Sequence, residues 1–112
     1  MSTDVRPYHY GLGELIERLE RGDPTRVLPV GFGSPHSYRG YYEDVAFEIK
    51  RDVTVGSMLD AARSALGATF QGWKGGDYEM GEYTGCWLVY EEGDTGESIG
   101  AVFLQLLLEA AR

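Results

Sequence analysis

The sequence predicts an α+β domain, a small, mainly antiparallel sheet of four to five strands packed with about three helices. Two observations lead there. Apolar residues recur at helical spacing in three stretches and at strand spacing in several shorter ones, and the later strand segments are joined by short, glycine-bearing turns suited to hairpins. At 112 residues the chain has room for one hydrophobic core and not two, so residues 1–112 read as a single domain whose residues 1–10 form a loose N-terminal arm.

In chain order, the arm ends in Pro7, Tyr8, His9 and Tyr10, whose tyrosines offer a means of docking. Leu12, Leu15, Ile16 and Leu19 then fall at i, i+3, i+4 and i+7, an amphipathic helix that Gly22-Asp23-Pro24 stops. Arg26 to Phe32 reads as a strand, with Pro29 suggesting an edge position or a distortion. Asp44 to Lys50 is a second strand with Val45, Phe47 and Ile49 on its core face. Thr54 is a good N-cap for a helix from about Val55 to Leu66, with Met58, Leu59, Ala62 and Leu66 as its buried stripe, Asp60 and Arg63 paired on its wet side, and Gly67 as terminator.

Ala68 to Lys74 is a short aromatic strand, Gly75-Gly76-Asp77 a tight turn, and Tyr78 to Tyr83 a weakly alternating edge strand. Cys86 to Tyr90 has the highest strand propensity in the chain. Glu91 to Glu97 reads as a polar turn and Ser98 as the cap of a last helix marked by Ile99, Val102, Phe103, Leu106, Leu107 and Ala110. Leu104 and Leu108 broaden its apolar surface. That breadth suits either a helix sandwiched between layers or an exposed flank used in homo-oligomerisation.

Charge narrows the function classes. The net charge is -8, and from Gly75 to Ala111 there are eight acidic residues and no basic one. General nucleic-acid binding needs clustered Lys and Arg and is not expected. A small anion held by a few local cations remains compatible, because screening confines surface fields to about 10 Å. The lone Cys86 excludes an internal disulfide and points to a reducing cytoplasm. The apolar run Ile99 to Leu108 is far shorter than the roughly 20 residues that span a bilayer, so no membrane association is expected.

The stretch Gly31 to Glu48 concentrates the chemistry. Its first half reads as a glycine- and proline-bearing loop carrying His36, Ser37, Tyr38 and Arg39. Arg39 offers a planar fork for phosphate, Ser37 and the loop amides offer short donors, and Tyr38, Tyr41 or Tyr42 offers a face for a base. Trp73 and Lys74 repeat the pairing of aromatic face and cation and would form a second wall. The candidate ligand-binding set is therefore His36, Ser37, Tyr38, Arg39, Tyr42, Trp73 and Lys74. The plainer alternative is that His36 and Arg39 tie a surface loop to neighbouring carboxylates while the aromatic rings pack as core.

Other chemistries have less behind them. His36, Glu43, Asp44 and Glu48 lack the spacing of a metal site, and no cofactor is implied. His36-Ser37-Tyr38 and His9-Tyr10-Gly11 do not make the paired motifs of a two-histidine phosphodiesterase. Glu43 and Asp44 are neighbours on a strand, point to opposite faces and make a poor acid–base pair. Cys86 lies in an apolar strand, where a thiol is buried and inert.

The run Gly31-Phe-Gly-Ser-Pro-His-Ser-Tyr-Arg-Gly-Tyr-Tyr-Glu-Asp-Val-Ala-Phe-Glu48, with Thr54-Val-Gly-Ser-Met-Leu59, Gly72-Trp-Lys-Gly-Gly76 and Glu82-Tyr-Thr-Gly-Cys-Trp87, resembles a largely uncharacterised group of short proteins encoded by bacteriophages of actinobacteria. The resemblance implies a phage origin and action in the cytoplasm of an infected bacterial host. By analogy with small phage counter-defence sponges, it implies capture of a phosphorylated nucleotide signal without turnover. The alternatives are a protein-binding inhibitor using the acidic tract Asp77 to Glu97, or a nucleotide-acting enzyme.

Overall fold

The computed structural model describes residues 9–38, 41–71, 77–89 and 96–111. Three helices and a four-stranded, mostly antiparallel sheet make it an α+β fold. The order is α1 (Leu12–Glu20), β1 (Val27–Tyr38), β2 (Tyr41–Thr54), α2 (Val55–Ala65), β3 (Thr69–Gln71), β4 (Asp77–Glu79), β5 (Cys86–Val89), β6 (Gly96–Ser98) and α3 (Ala101–Glu109). The main sheet runs β1-β2-β5-β6, and β3 pairs with β4 in a separate two-stranded sheet.

The helices form where the periodicity places them. Leu12, Leu15, Ile16 and Leu19 are all buried, and the Gly11 amide donates to Glu14 Oε1 at 2.9 Å to cap α1. Thr54 Oγ1 accepts from the Ser57 amide at 3.0 Å, and Gly67 takes φ +80 just past α2, an angle that glycine adopts without a Cβ clash. Two details differ from expectation. Leu66 is 45% exposed because α2 ends at Ala65, whose methyl group joins Val55, Met58, Leu59 and Ala62 in the core. Arg63 reaches Glu20 of α1 at 2.7 Å, a partner between helices in place of Asp60.

The largest departure is the expected loop in the first half of Gly31 to Glu48, Ser34 to Tyr42. β1 continues to Tyr38 and β2 begins at Tyr41, so this stretch forms the two arms of a long antiparallel hairpin. The turn-forming residues are absorbed as an irregularity, with Ser34 at φ 48 and a register shift between Gly33 and His36. Pro29 lies in β1, an edge strand, where a missing donor is tolerated. At Gly31 a Cβ would stand 2.5 Å from Val53 Cγ2 and 2.9 Å from Met58 Sδ, so only glycine lets hairpin and α2 approach this closely.

β2 pairs with β5 in parallel, and α2 with the β3–β4 hairpin makes the crossover between them. β6 was expected to be turn, yet Gly96–Ser98 pairs antiparallel with β5. Ser98 is accordingly not the cap of α3. That position falls to Gly100, which has no side-chain cap bond.

Tyr10, 1% exposed, ends the arm inside the protein, and its amide donates to Ile99 O at 2.7 Å. Gly11 bridges Gly85, Leu12 N donates to Thr84 O, and Gly13 N donates to Glu82 O. Residues 9–13 thus strap the first helix to the approach of β5 and the exit of β6. One face of the sheet packs Phe32, Val45, Phe47, Cys86 and Leu88 into the main core, with the Phe32 and Phe47 rings 4.9 Å apart. α3 contributes Leu104 to that core and leaves Val102 and Leu106 51% and 61% exposed. Among the described residues no helix is long and apolar enough to cross a membrane.

Candidate functional site

The second face of the sheet holds the clustered polar chemistry. Strand pairing runs in an unbroken row from His36 to Ala46, from Ala46 to Trp87 and from Trp87 to Ser98, one residue from each of the four strands. Paired residues present their side chains on the same face, so this row lines up an imidazole, a methyl group, an indole and a hydroxyl. The adjacent row is Gly33, Glu48, Val89 and Gly96. Ala46 and Val89 form a small apolar floor with Trp87 packed against it.

At the hairpin end, Glu48 lies between His36 and Lys50. His36 Nε2 is 3.7 Å from one of its oxygens and Lys50 Nζ is 3.8 Å from the other, with all three side chains roughly half exposed. Pairs this exposed add little to stability. They leave a basic and an acidic group side by side and accessible.

At the other end, Trp87 Nε1 donates to Asp44 Oδ2 at 2.8 Å. The His9 ring meets that of Trp87 edge-on, with centroids 5.5 Å apart and planes at 69°. His9 Nδ1 contacts Ser98 Oγ. The opposite edge of the imidazole lies against Gly85, where an added Cβ would collide with the ring and stand 3.0 Å from Asp44 Oδ1. His9, Asp44, Trp87 and Ser98 are all half-buried. Below this face, burial pushes the Cys86 thiol far above its ordinary range, and the charges of Asp44 and Glu14 add to the effect. The thiol is therefore neutral and no nucleophile at neutral pH.

Of the sequence-predicted site residues, His36 is on β1, exposed and beside Glu48. Ser37 and Tyr38 belong to β1 and Tyr42 to β2, with Ser37 opposite Val45. The side chains of those three, and all of Arg39, Trp73 and Lys74, lie outside the described residues. Arg26 is engaged elsewhere, donating to Ala111 O at 3.0 Å. Among the described residues no group of three or more His, Cys, Asp or Glu is arranged to hold a metal ion.

Trp87, Lys50, Asp44, Ser98 and His9 were not in the predicted set. Trp87 and Ser98 carry residue types that favour strand and cap, and only the register of four strands brings them into line with His36. One signal was available: the alternation of Cys86 to Tyr90 puts Trp87 opposite to the core-facing Cys86 and Leu88. No family model, curated protein or solved structure matches this chain.

Proposed function

We propose that the protein binds and sequesters a small phosphorylated nucleotide without turning it over, on the second face of the sheet beside the β1–β2 hairpin. The supporting observation is the row His36–Ala46–Trp87–Ser98 with Glu48 and Lys50 next to it. An anchored indole beside a shallow apolar floor suits a base, and His36 and Lys50 suit phosphate. Glu48 suits ribose hydroxyls, since a carboxylate accepts from two donors at once. Arg39, Ser37, Tyr38 and Tyr42 would add to this from the hairpin, and Trp73 and Lys74 from the β3–β4 connection. Together with the resemblance to phage proteins, this is a counter-defence role in the cytoplasm of an infected bacterium.

Incubation with a panel of cyclic dinucleotides and ADP-ribose derivatives tests the reading. Bound nucleotide should raise the melting temperature and be recovered intact after heating. Absence of any shift or retained nucleotide across the panel defeats it.

A second reading, a protein-binding inhibitor, draws on Tyr83, 84% exposed beside exposed Glu82 and close in sequence to exposed Glu79. An exposed aromatic ring with acids close by in the sequence suits a basic partner surface. Capture of a host protein that survives reversal of those acids would count against it. Self-association through Val102 and Leu106 of α3 completes the proposal, and light scattering that finds only a 12.4 kDa species removes it.

A further inference from the structure

Within one copy of the chain, α3 leaves both an apolar stripe and its end charges uncompensated. Its inward side gives Leu104 to the main core, with Ala101, Leu107 and Leu108 packed around it. Val102, Leu106 and Ala110 follow at i, i+4 and i+8 on the outward side, and all three are exposed. Ala110 keeps helical backbone angles as the C-cap, so the stripe runs the full length of the helix. One edge of it is polar. Arg18 of α1 donates to Gln105 Oε1 at 3.2 Å, and Gln105 Nε2 donates to Glu109 Oε2 at 3.4 Å.

The ends of the helix carry the wrong charges for its dipole. Gly100 offers no side-chain cap and the first turn of α3 holds no acid, so the partly positive N–H groups there receive no carboxylate from α3 itself. Glu109 sits in the last turn, where the dipole is negative and an acid is unfavourable.

We infer that a second copy of the chain covers this stripe, with the two α3 helices packed antiparallel about a two-fold axis at Leu106. The inference rests on the self-association through α3 proposed above and adds its geometry. With Leu106 against the partner's Leu106, Val102 lies opposite the partner's Ala110, so a larger side chain meets a smaller one at each end. Glu109 then stands beside the first turn of the partner helix, where a carboxylate is stabilising, and the two-fold repeats that contact at the other end. A parallel pair would instead bring the two Glu109 carboxylates together and the two uncapped N-termini together. Charge therefore selects the direction.

A helix of nine residues is about 14 Å long. Two such stripes bury less than about 1,200 Å², the low end of specific interfaces, and the dimer is accordingly transient, with a Kd on the order of 10⁻⁵ M. Because α3 packs on the core side of the sheet, pairing through its outward side leaves the second face open in both copies.

The test is sedimentation equilibrium of the full chain over concentrations spanning that Kd, together with thiol cross-linking. The mass should rise from 12.4 kDa toward twice that value. Leu106→Glu sets like charges face to face on the axis and should weaken association about tenfold or more. Glu109→Lys should weaken it about threefold or more. That substitution removes one acid and adds one base, taking each copy from -8 to -6, so overall repulsion alone would strengthen association instead. Both positions are exposed, and circular dichroism should show the fold retained. With a short bis-maleimide, Leu106→Cys should link to itself, and Val102→Cys should link to Ala110→Cys but not to itself, while the buried Cys86 stays unlabelled. A mass of 12.4 kDa at every concentration removes self-association and the inference with it. A dimer indifferent to Leu106→Glu, which would assign the stripe to another occupant, or one in which Val102→Cys links to itself, leaves self-association standing and overturns the antiparallel pair.

Discussion

Replacing Gly85 by alanine tests whether the strap is seated through His9. A Cβ at this position would stand 2.9 Å from His9 Cε1 and 3.0 Å from Asp44 Oδ1, and 3.4 Å is the lower edge of ordinary contact. Both atoms are about half an ångström too close. The imidazole is held by Ser98 on one side and meets Trp87 edge-on, so yielding to the methyl group would disturb both contacts. Insertion of a methyl group into a packed site of this kind costs about 1–3 kcal/mol. With a urea m-value of about 1–3 kcal/mol/M for a small domain, a loss of ~2 kcal/mol lowers the unfolding midpoint by about 1 M. The informative step is the double mutant. In a His9→Ala background the nearest obstacle is gone, so Gly85→Ala should cost much less, with a coupling of about 0.5–3 kcal/mol between the two sites. Equal costs in both backgrounds would refute the reasoning, because the methyl group would then be clashing with something other than His9.

Three further outcomes are expected. Gly31→Ala, whose Cβ would overlap Val53 Cγ2 and Met58 Sδ, should destabilise by about 1–3 kcal/mol in urea unfolding. Thr54→Ala, which removes the cap on the Ser57 amide, should cost about 1 kcal/mol in the same assay. The Cys86 thiol is held neutral by burial in the fold and ionises near pH 8.5 once unfolded, so its contribution is complete below that pH and is lost as pH rises above it. The stability gap between wild type and Cys86→Ala should therefore narrow from pH 7 to pH 10, and a gap that widens contradicts the assignment.

Local structure was legible wherever one segment carried its own signal. The four-residue apolar stripe of α1 and the Thr54 and Gly67 boundaries of α2 are short-range features, and both helices form where those residues put them. β6 carried no such signal. Gly-Glu-Ser has no strand propensity, and its pairing comes from β5 rather than from its own residues. The hairpin was misread for the opposite reason. Gly33, Ser34 and Pro35 are turn residues by type, but β2 supplies a long partner strand and the irregularity at Ser34 accommodates them. The site follows the same division. His36 was legible as a polar group in a dense stretch, whereas His9 and Ser98 meet across 89 residues of chain, a distance over which no local pattern carries information.

Binding of a phosphorylated nucleotide on the second face of the sheet is read out by titration calorimetry of the nucleotide panel against wild type, Lys50→Glu and Trp87→Phe. Lys50 is half exposed, so reversing its charge should leave the fold intact. Saturable binding of at least one nucleotide by wild type is expected, weakened tenfold or more by Lys50→Glu and measurably by Trp87→Phe. Binding that neither substitution alters, or no heat from any nucleotide, would contradict it.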